Sequence, residues 1–352
     1  MPTASFETAS GRKDPNTMKV RYYFRSSKAR GISIEKVFSE IVSEVANNGI
    51  PVDRFECRMS RASGLSILAN IAEAKSIQGA DEISHITGDV HYLSIALDGE
   101  RTILTVHDLV PLRHLSGFKR FAAWQLWFEI PTRRSAAITC VSSFTKKALL
   151  DAIPGLSPKK VRVIPNPLSS VYSPSRLRSS PRVPVLLQVG TGRHNKNLEG
   201  VASAIAGLRC HLDIVGRLAP DQIDMLKCCG VSFCSYVDIS EEELVERYRR
   251  ADIVVFASKY EGFGLPITEA QAVGRPVITS NLCSMPEVAG DAALLVDPYN
   301  ASEIRSAVQT LLENESLRRD LVERGFENVK RFERGVVARQ YIQLYQEVWG
   351  GR

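Results

Sequence analysis

Short apolar runs alternate with amphipathic or polar segments along most of this chain. The run MKVRYYF precedes a segment in which apolar residues recur every three or four positions up to Gly49. Further apolar runs lie in EISHITGDVHYLSIAL, RTILTVHDLVPL, AAITCVSS, VPVLLQVG, CHLDIVG and ADIVVFAS. Such runs predict buried strands, and the periodicity between them predicts helices. The alternation therefore predicts an α/β fold with parallel sheets.

Changes in composition divide the chain into parts. Residues 1–17 are polar and patternless, which predicts a disordered tail or an over-extended start upstream of Met18. Residues 173–182, SPSRLRSSPR, have the composition of a linker. With 352 residues, 44% of them hydrophobic, the chain is long enough for two cores. We predict domains over 18–172 and 183–330, followed by a helical segment over 331–352.

The stretch from Ser258 to Glu269, SKYEGFGLPITE, combines the features of a binding site. It follows the apolar run at residues 253–257 and predicts a strand, a glycine turn and a helix. Pro266 suits the first helical position, which places Glu269 in the first turn. Gly262 and Gly264 allow a ligand to approach the backbone closely, and a helix N-terminus favours an anion such as phosphate.

Two glutamates flank this turn, and two interpretations of them are open. Glu261 and Glu269 would repel a phosphate, but each carboxylate can accept hydrogen bonds from hydroxyl groups on either side of it. A diphosphate between two hydroxyl-rich rings is a nucleotide sugar. By residue type alone, the same glutamates could be an exposed loop acid and a helix-capping acid.

The longer stretch SKYEGFGLPITEAQAVGRPVITSNLCSMPEVAGDAALLVDP resembles the donor-site signature of the retaining glycosyltransferases of family 4. That resemblance implies the GT-B architecture, with two Rossmann-like domains facing across a cleft and a terminal helix that crosses back to the first domain. It also implies that Glu261 contacts the donor sugar, that Glu269 contacts the ribose hydroxyls, and that backbone amides of the turn bind the diphosphate. Those amides belong to Gly262, Phe263, Gly264 and Leu265.

The start of the second domain carries a second part of the resemblance. In VGTGRHNKN, Lys196 and Asn197 match a Lys-Asn pair that binds the donor diphosphate in the family. The family often has an arginine where this chain has Thr191, and Arg193 follows two residues later. We expect Lys196 and Arg193 to stabilise the leaving group and Thr191 and Asn197 to contribute to donor binding. As unaided residues, such cations are more often solvated.

Three residues elsewhere match family positions. Gly31 lies in the first strand-to-helix loop, which the family uses to admit donor or acceptor. TVHDLVPL is similar to the family's histidine-containing loop, which implies that His107 faces the donor sugar, although lone histidines are often core residues. Tyr236 follows a strand in the stretch that frames the nucleotide base. Ser142 or Ser143 is a candidate helix N-cap.

Charge and composition restrict the partners. Residues 18–172 carry 21 Lys or Arg and 14 acidic residues, whereas residues 173–352 carry 22 and 23. The segment GFKRFAAWQLWFEIPTRRSA combines aromatic and basic residues, which is typical of a helix on an anionic membrane or of a core helix with a basic outer face. Seven cysteines without a C-x2-C pair predict reduced thiols in a cytoplasmic protein rather than a zinc site.

Together with these features, the resemblance implies a retaining, metal-independent hexosyltransferase of bacterial surface polysaccharide biosynthesis. Its expected partners are a GDP-mannose-like or UDP-sugar donor, a saccharide or lipid-linked saccharide acceptor and an anionic membrane at the inner face of the cytoplasmic membrane. No cofactor, metal or nucleic acid is expected, and no Asp-x-Asp triplet occurs in the chain. The alternative is a catalytically degenerate protein that keeps the donor fold and acts as a membrane or complex partner.

Overall fold

The computed structural model describes residues 18–27, 33–60, 63–109, 116–175, 183–190 and 194–351. The predictions for the tail at 1–17, for linker residues 176–182 and for Gly31, Thr191 and Arg193 lie outside these ranges.

A parallel sheet forms the centre of the first domain. Its elements in chain order are β1 (Val20–Phe24), α1 (Ser33–Asn47), β2 (Val52–Glu56), α2 (Gly64–Ile77), β3 (Ile83–Ile86), β4 (Thr102–Val106), α3 (Gly117–Trp124), α4 (Ile130–Arg134), β5 (Ala137–Cys140), α5 (Ser143–Ala152) and β6 (Val161–Val163). The strands pair in the order β2-β1-β3-β4-β5-β6. Because all pairs are parallel, the carboxyl ends of the strands meet at one edge.

One predicted strand is much shorter than its apolar pattern indicated. In EISHITGDVHYLSIAL only Ile83–Ile86 is a strand, and His91–Ile95 forms a buried 3-10 turn. The chain leaves the sheet at Gly88 and Asp89, whose φ angles are 148° and 51°. These left-handed conformations end the strand, so the apolar residues that follow are buried in a turn.

A second parallel sheet forms the other domain. Its elements are β7 (Val185–Val189), α6 (Leu198–Ile205), β8 (His211–Val215), α7 (Pro220–Cys228), β9 (Ser232–Tyr236), α8 (Glu241–Arg250), β10 (Ile253–Phe256), α9 (Leu265–Val273), β11 (Val277–Ser280), α10 (Met285–Ala289), β12 (Leu294–Val296), α11 (Ala301–Glu313) and α12 (Glu315–Val329). The strands pair in the order β12-β11-β10-β7-β8-β9, which leaves β9 at an edge. Both sheets therefore have the doubly wound arrangement that the alternating pattern predicts.

The last helix, α13 (Arg334–Trp349), packs against the first domain. Its residues Val337, Tyr341 and Tyr345 share a core cluster with Tyr22 of β1 and Phe38 of α1. The backbone amide of Leu168 donates to the carbonyl of Phe332 at 2.8 Å, where the chain re-enters the first domain. The end of the second domain is therefore anchored in the core of the first.

The aromatic segment of the first domain has two faces. Trp124, Trp127 and Phe128 pack against the core cluster around β4 and β5, as expected for a core helix. Phe118 and Phe121 on α3 point outward and are 82% and 58% exposed. In the part of the chain that the structure describes, no helix is long and apolar enough to cross a bilayer.

Candidate active site between the two sheets

The turn from β10 to α9 has the predicted strand, glycine and helix. Gly264 caps α9 with a left-handed φ of 112°, so the helix begins at Leu265. Pro266 is therefore the second helical residue rather than the first, and Glu269 lies beyond the first turn. A helix with Pro266 as its first residue would have Leu265 as its cap, whereas the cap is Gly264. Pro266 has no amide hydrogen and the amide of Ile267 donates to the carbonyl of Gly264 at 3.0 Å, so the amide of Leu265 and the helix dipole are what suits this end of α9 to an anion.

The glycine turn also packs directly against the first domain. The carbonyl of Gly262 accepts hydrogen bonds from Ser142 Oγ at 2.7 Å and Thr145 Oγ1 at 3.2 Å. A Cβ at Gly262 would clash with the carbonyl oxygen of His107. Ser142 caps α5, as its sequence position indicates, but its second bond to the other domain has no sequence signal. Glycine is therefore required here by contact between the domains.

Lys196 and Glu261 form an ion pair at the carboxyl edge of the second sheet. Lys196 Nζ lies 2.8 Å from Glu261 Oε1, and the two side chains are 23% and 15% exposed. Two further bonds join the loops, from Lys259 N to Asn195 O at 2.7 Å and from Asn195 Nδ2 to Tyr260 O at 2.8 Å. The described residues 194–197 after β7 are thus joined directly to the loop after β10.

Asn197 and Tyr236 have side chains committed to protein contacts. Asn197 is 1% exposed and its amide nitrogen donates to the carbonyls of Ala257 at 3.0 Å and Pro298 at 2.7 Å. The Tyr236 hydroxyl donates to Asp213 Oδ1 at 3.3 Å, back along the sheet. The side chain of Asn197 therefore supports the loop that carries Lys196, and the ring of Tyr236 does not join the pair of Lys196 and Glu261.

Glu269 lies within α9, and its hydrogen-bond partners are the neutral hydroxyl groups of two tyrosines. Tyr248 of α8 donates its hydroxyl to Glu269 Oε2 at 2.6 Å. Burial raises the pKa of the Glu269 carboxyl, and hydrogen bonds from Tyr248 and Tyr172 offset part of that effect. Nearby, Lys36 of α1 and Glu241 of α8 approach within 3.5 Å across the domains. Sequence reasoning missed Tyr172 and Tyr248, because neither stands near Glu269 in the chain.

His107 faces this region from the end of β4. Its Nε2 lies 2.8 Å from the carbonyl oxygen of Thr87, so that nitrogen carries the hydrogen and Nδ1 is the acceptor of the ring. Burial lowers the pKa of His107, which favours the neutral imidazole. A Cβ at Gly88 would lie 2.8 Å from the ring, so a glycine is needed beside it. The structure thus brings the loops of His107, Gly262 and Glu261 together.

Family comparisons match both halves of the chain. The model for Glycosyltransferase Family 4 matches residues 39–170, and the model for Glycosyl transferases group 1 matches residues 174–328. Among curated relatives, O-antigen chain mannosyltransferase B of Escherichia coli is 39% identical over 108 residues, which cover 31% of this chain and 28% of that protein.

A second curated relative, the MMP alpha-(1->4)-mannosyltransferase of Mycolicibacterium hassiacum, is 27% identical over 228 residues, which cover 61% of this chain and 55% of that protein. The chain therefore spans about a quarter to a half of the length of these two relatives.

Solved structures share the fold over nearly the whole chain. A glycosyltransferase from Rickettsia africae superposes with a TM-score of 0.76 at 17% identity, covering 95% of this chain and 100% of that one. WaaG, a glycosyltransferase involved in lipopolysaccharide biosynthesis, superposes with a TM-score of 0.71 at 15% identity, covering 92% of this chain and 99% of that one. Two parallel six-stranded sheets in this arrangement constitute the GT-B fold.

Proposed function

We propose a sugar-transfer reaction for this chain, which belongs to the GT-B glycosyltransferases that carry family 4 type domains. The enzyme moves a hexose from a nucleotide sugar to an acceptor hydroxyl, with retention at the anomeric carbon. The observation that carries this proposal is the pair of Lys196 and Glu261 beside the open start of α9, opposite His107. The names of the curated relatives favour a mannosyl donor of the GDP-mannose type over a UDP-sugar.

The donor spans the start of α9 in this proposal. Its diphosphate accepts hydrogen bonds from the amides of Phe263 to Leu265, where the helix dipole favours negative charge. Glu269 accepts hydrogen bonds from the ribose hydroxyls and Glu261 from the sugar hydroxyls. His107 Nδ1, the acceptor of a neutral ring, receives a further sugar hydroxyl.

Leaving-group charge is stabilised without a metal in this proposal. Lys196 Nζ and the amides of α9 supply fixed positive potential where the diphosphate departs. The ion pair with Lys196 lowers the nucleophilicity of Glu261, so we favour a front-face route over a covalent carboxylate intermediate. The bond from the anomeric carbon to the phosphate oxygen breaks, the acceptor oxygen bonds to the same face, and the departing phosphate oxygen takes the acceptor proton.

A thermal-shift screen tests the donor site. The purified chain is heated with GDP, UDP, dTDP and their sugar conjugates, with and without EDTA. Stabilisation by one nucleotide that EDTA leaves unchanged supports a metal-independent site and identifies the base. The same nucleotide should then support transfer to a saccharide acceptor. Donor binding without transfer to any acceptor would instead favour the degenerate partner, and stabilisation that requires a divalent cation would contradict metal independence.

The acceptor is a lipid-linked saccharide at the inner face of the cytoplasmic membrane. The exposed rings of Phe118 and Phe121 lie beside Lys119 and Arg120 on α3. The exposed surface of this helix therefore combines apolar and basic side chains. Such a face binds an anionic bilayer through both burial and charge. Co-sedimentation with phosphatidylglycerol vesicles should exceed that with phosphatidylcholine vesicles and should fall in Phe118→Ala/Phe121→Ala. Equal binding to both vesicle types would remove this part of the proposal.

A further inference from the structure

Three residues with metal-binding atoms lie on one face of the second sheet, on neighbouring strands. His211 and Asp213 are two positions apart on β8, so their side chains point to the same face. The parallel register pairs Asp213 with Cys234 of β9, which therefore shares that face. Their nitrogen, oxygen and sulfur atoms all lie within 4.8 Å of one another.

These separations suit a tetrahedral metal ion. With bonds of about 2.1 Å to nitrogen or oxygen and about 2.3 Å to sulfur, ligand atoms around Zn²⁺ stand roughly 3.4 to 3.8 Å apart. His211 Nε2 and Asp213 Oδ1 are 3.4 Å apart without any adjustment. The sulfur of Cys234, which is exposed on the edge strand β9, lies within 4.8 Å of both atoms, so it has to approach them by about 1 Å at most to reach this separation.

The neighbours of the cluster orient its members as neighbours of metal ligands do. Ser232 Oγ lies 2.8 Å from His211 Nδ1, which leaves Nε2 to face Asp213 and Cys234. Asp213 Oδ1 lies 3.4 Å from His211 Nε2 and also accepts a hydrogen bond from the Tyr236 hydroxyl at 3.3 Å, whereas Oδ2 faces Arg247 at 3.8 Å. A histidine fixed through its second nitrogen and a carboxylate fixed through its second oxygen are typical of metal sites.

Access and burial are also suitable. The Asp213 side chain is 7% exposed and that of His211 26%, so the site is partly dehydrated. Cys234 is exposed at the open edge of the sheet. A cavity of about 500 Å³ opens beside the cluster and has room for a water ligand; its lining includes His211, Asp213 and Tyr236 together with Arg247 and Arg250. The partly buried side chains therefore form a site that a metal ion can reach from solvent.

We propose that His211, Asp213 and Cys234 bind Zn²⁺, with water as the fourth ligand. Imidazole, carboxylate and thiolate form a donor set that suits this ion. Binding releases the thiol proton of Cys234 to solvent. The thiolate and the carboxylate then face the ion, and Arg247 remains 3.8 Å from the second oxygen of Asp213. The ion joins the edge strand β9 to β8, so its role is structural. It is separate from the pair of Lys196 and Glu261 at the carboxyl edge.

The proposed site differs from the expectation of reduced thiols without a zinc site. The ligands are 2 and 21 residues apart along the chain and come from two strands, so they form no spacing motif. Only the parallel register of β8 and β9 brings Cys234 opposite Asp213.

Cobalt substitution tests the site with a readout independent of sugar transfer. The full chain, stripped with EDTA and dialysed, is titrated with Co²⁺ under reducing conditions. We expect one equivalent to produce visible bands of tetrahedral Co²⁺ and a near-ultraviolet thiolate charge-transfer band, and Zn²⁺ to displace both. Cys234→Ser should lose the charge-transfer band, whereas Cys228→Ser, at an exposed cysteine on α7, should keep it. The wild-type chain without these bands would overturn the proposal, as would Cys234→Ser with them.

Two further variants separate ligation from folding. His211→Ala should bind Co²⁺ at least tenfold more weakly, and Ser232→Ala should lose about tenfold while keeping the charge-transfer band, because Ser232 only orients the imidazole. Zn²⁺ should raise the thermal midpoint of the wild-type chain and not that of His211→Ala. Circular dichroism checks that each variant is folded. Zn²⁺ stabilisation that survives in folded His211→Ala would overturn the site.

Discussion

Glu261 lies on the loop before α9 and Glu269 lies on the helix itself, and the protein holds these two carboxylates in different ways. On the loop side, Glu261 is paired with the ammonium group of Lys196 at 2.8 Å. On the helix side, Glu269 accepts a hydrogen bond from the neutral hydroxyl of Tyr248 at 2.6 Å. One carboxylate is therefore balanced by a charge, whereas the other is held by hydroxyls and has a pKa raised by burial.

In the proposed reaction, this difference gives the two sides different roles. A carboxylate beside a cation stands where charge moves during the reaction, because the same cation can stabilise the departing phosphate. A carboxylate among tyrosine hydroxyls is already in the environment that a ribose would provide, so it suits binding rather than charge transfer. The sequence, in which seven residues separate the two glutamates, does not show this distinction, and five substitutions test it.

Lys196→Ala should have the largest effect, because it removes the charge from the loop side. We expect turnover to fall by about 10² to 10³-fold, the usual loss when a preorganised electrostatic donor is deleted. Steady-state kinetics with a saturating nucleotide sugar measure this. Lys227→Ala, at an exposed lysine on α7, is the matched control and should leave turnover unchanged. Equal losses in both variants would contradict the assignment of Lys196.

Glu261→Ala and Glu269→Ala should separate turnover from binding. Glu261→Ala should lower kcat, because it leaves Lys196 without its ion-pair partner and removes the carboxylate that accepts hydrogen bonds from the sugar hydroxyls. Glu269→Ala should raise the Kd for the nucleotide by roughly tenfold or more, the value of a charged hydrogen bond to a hydroxyl, with a smaller change in kcat. Calorimetry with the nucleoside diphosphate and initial rates measure the two quantities. Identical patterns in the two variants would remove the comparison.

Sequence patterns predicted the alternating fold and the glycine turn that follows Glu261, because these depend on local periodicity and residue type, but they placed Glu269 in the first turn of α9, whereas it lies beyond it. They could not reveal partners that meet only through the fold. Tyr248 reaches Glu269 from another helix, and Ser142 reaches Gly262 from the other domain. The helix start was misplaced by one residue because Gly264 adopts the cap conformation, which a pattern containing Pro266 does not distinguish.

Gly262→Ala tests whether the loop side depends on contact between the domains. The new Cβ would clash with the His107 carbonyl, so the turn must move away from the first domain. Overpacking of this kind costs about 1 to 3 kcal/mol of stability, and transfer activity should fall with it. Thermal unfolding and rate measurements check both effects. Gly64→Ala has nothing within 4 Å of its Cβ and should be tolerated. An active, fully stable Gly262→Ala would show that the contact is dispensable.

The smallest expected effect is the contribution of Glu269 to the pH dependence of the free energy of unfolding. The pKa of Glu269 is raised above its ordinary value of 4.5 in the folded chain. Below pH 4.5 the carboxyl is protonated in both the folded and the unfolded chain, so it does not change the free energy of unfolding. As the pH rises from there through the folded pKa, ionisation of this carboxyl progressively lowers the free energy of unfolding. Glu269→Gln should therefore gain stability relative to the wild-type chain as pH increases above 4.5, measured as the difference in thermal midpoints. Glu323→Gln, at an exposed position on α12, controls for the loss of one carboxylate. A Glu269→Gln advantage that instead grew toward acidic pH would place Glu269 in a charge-stabilising environment, like that of Glu261, and would end the distinction between the two sides.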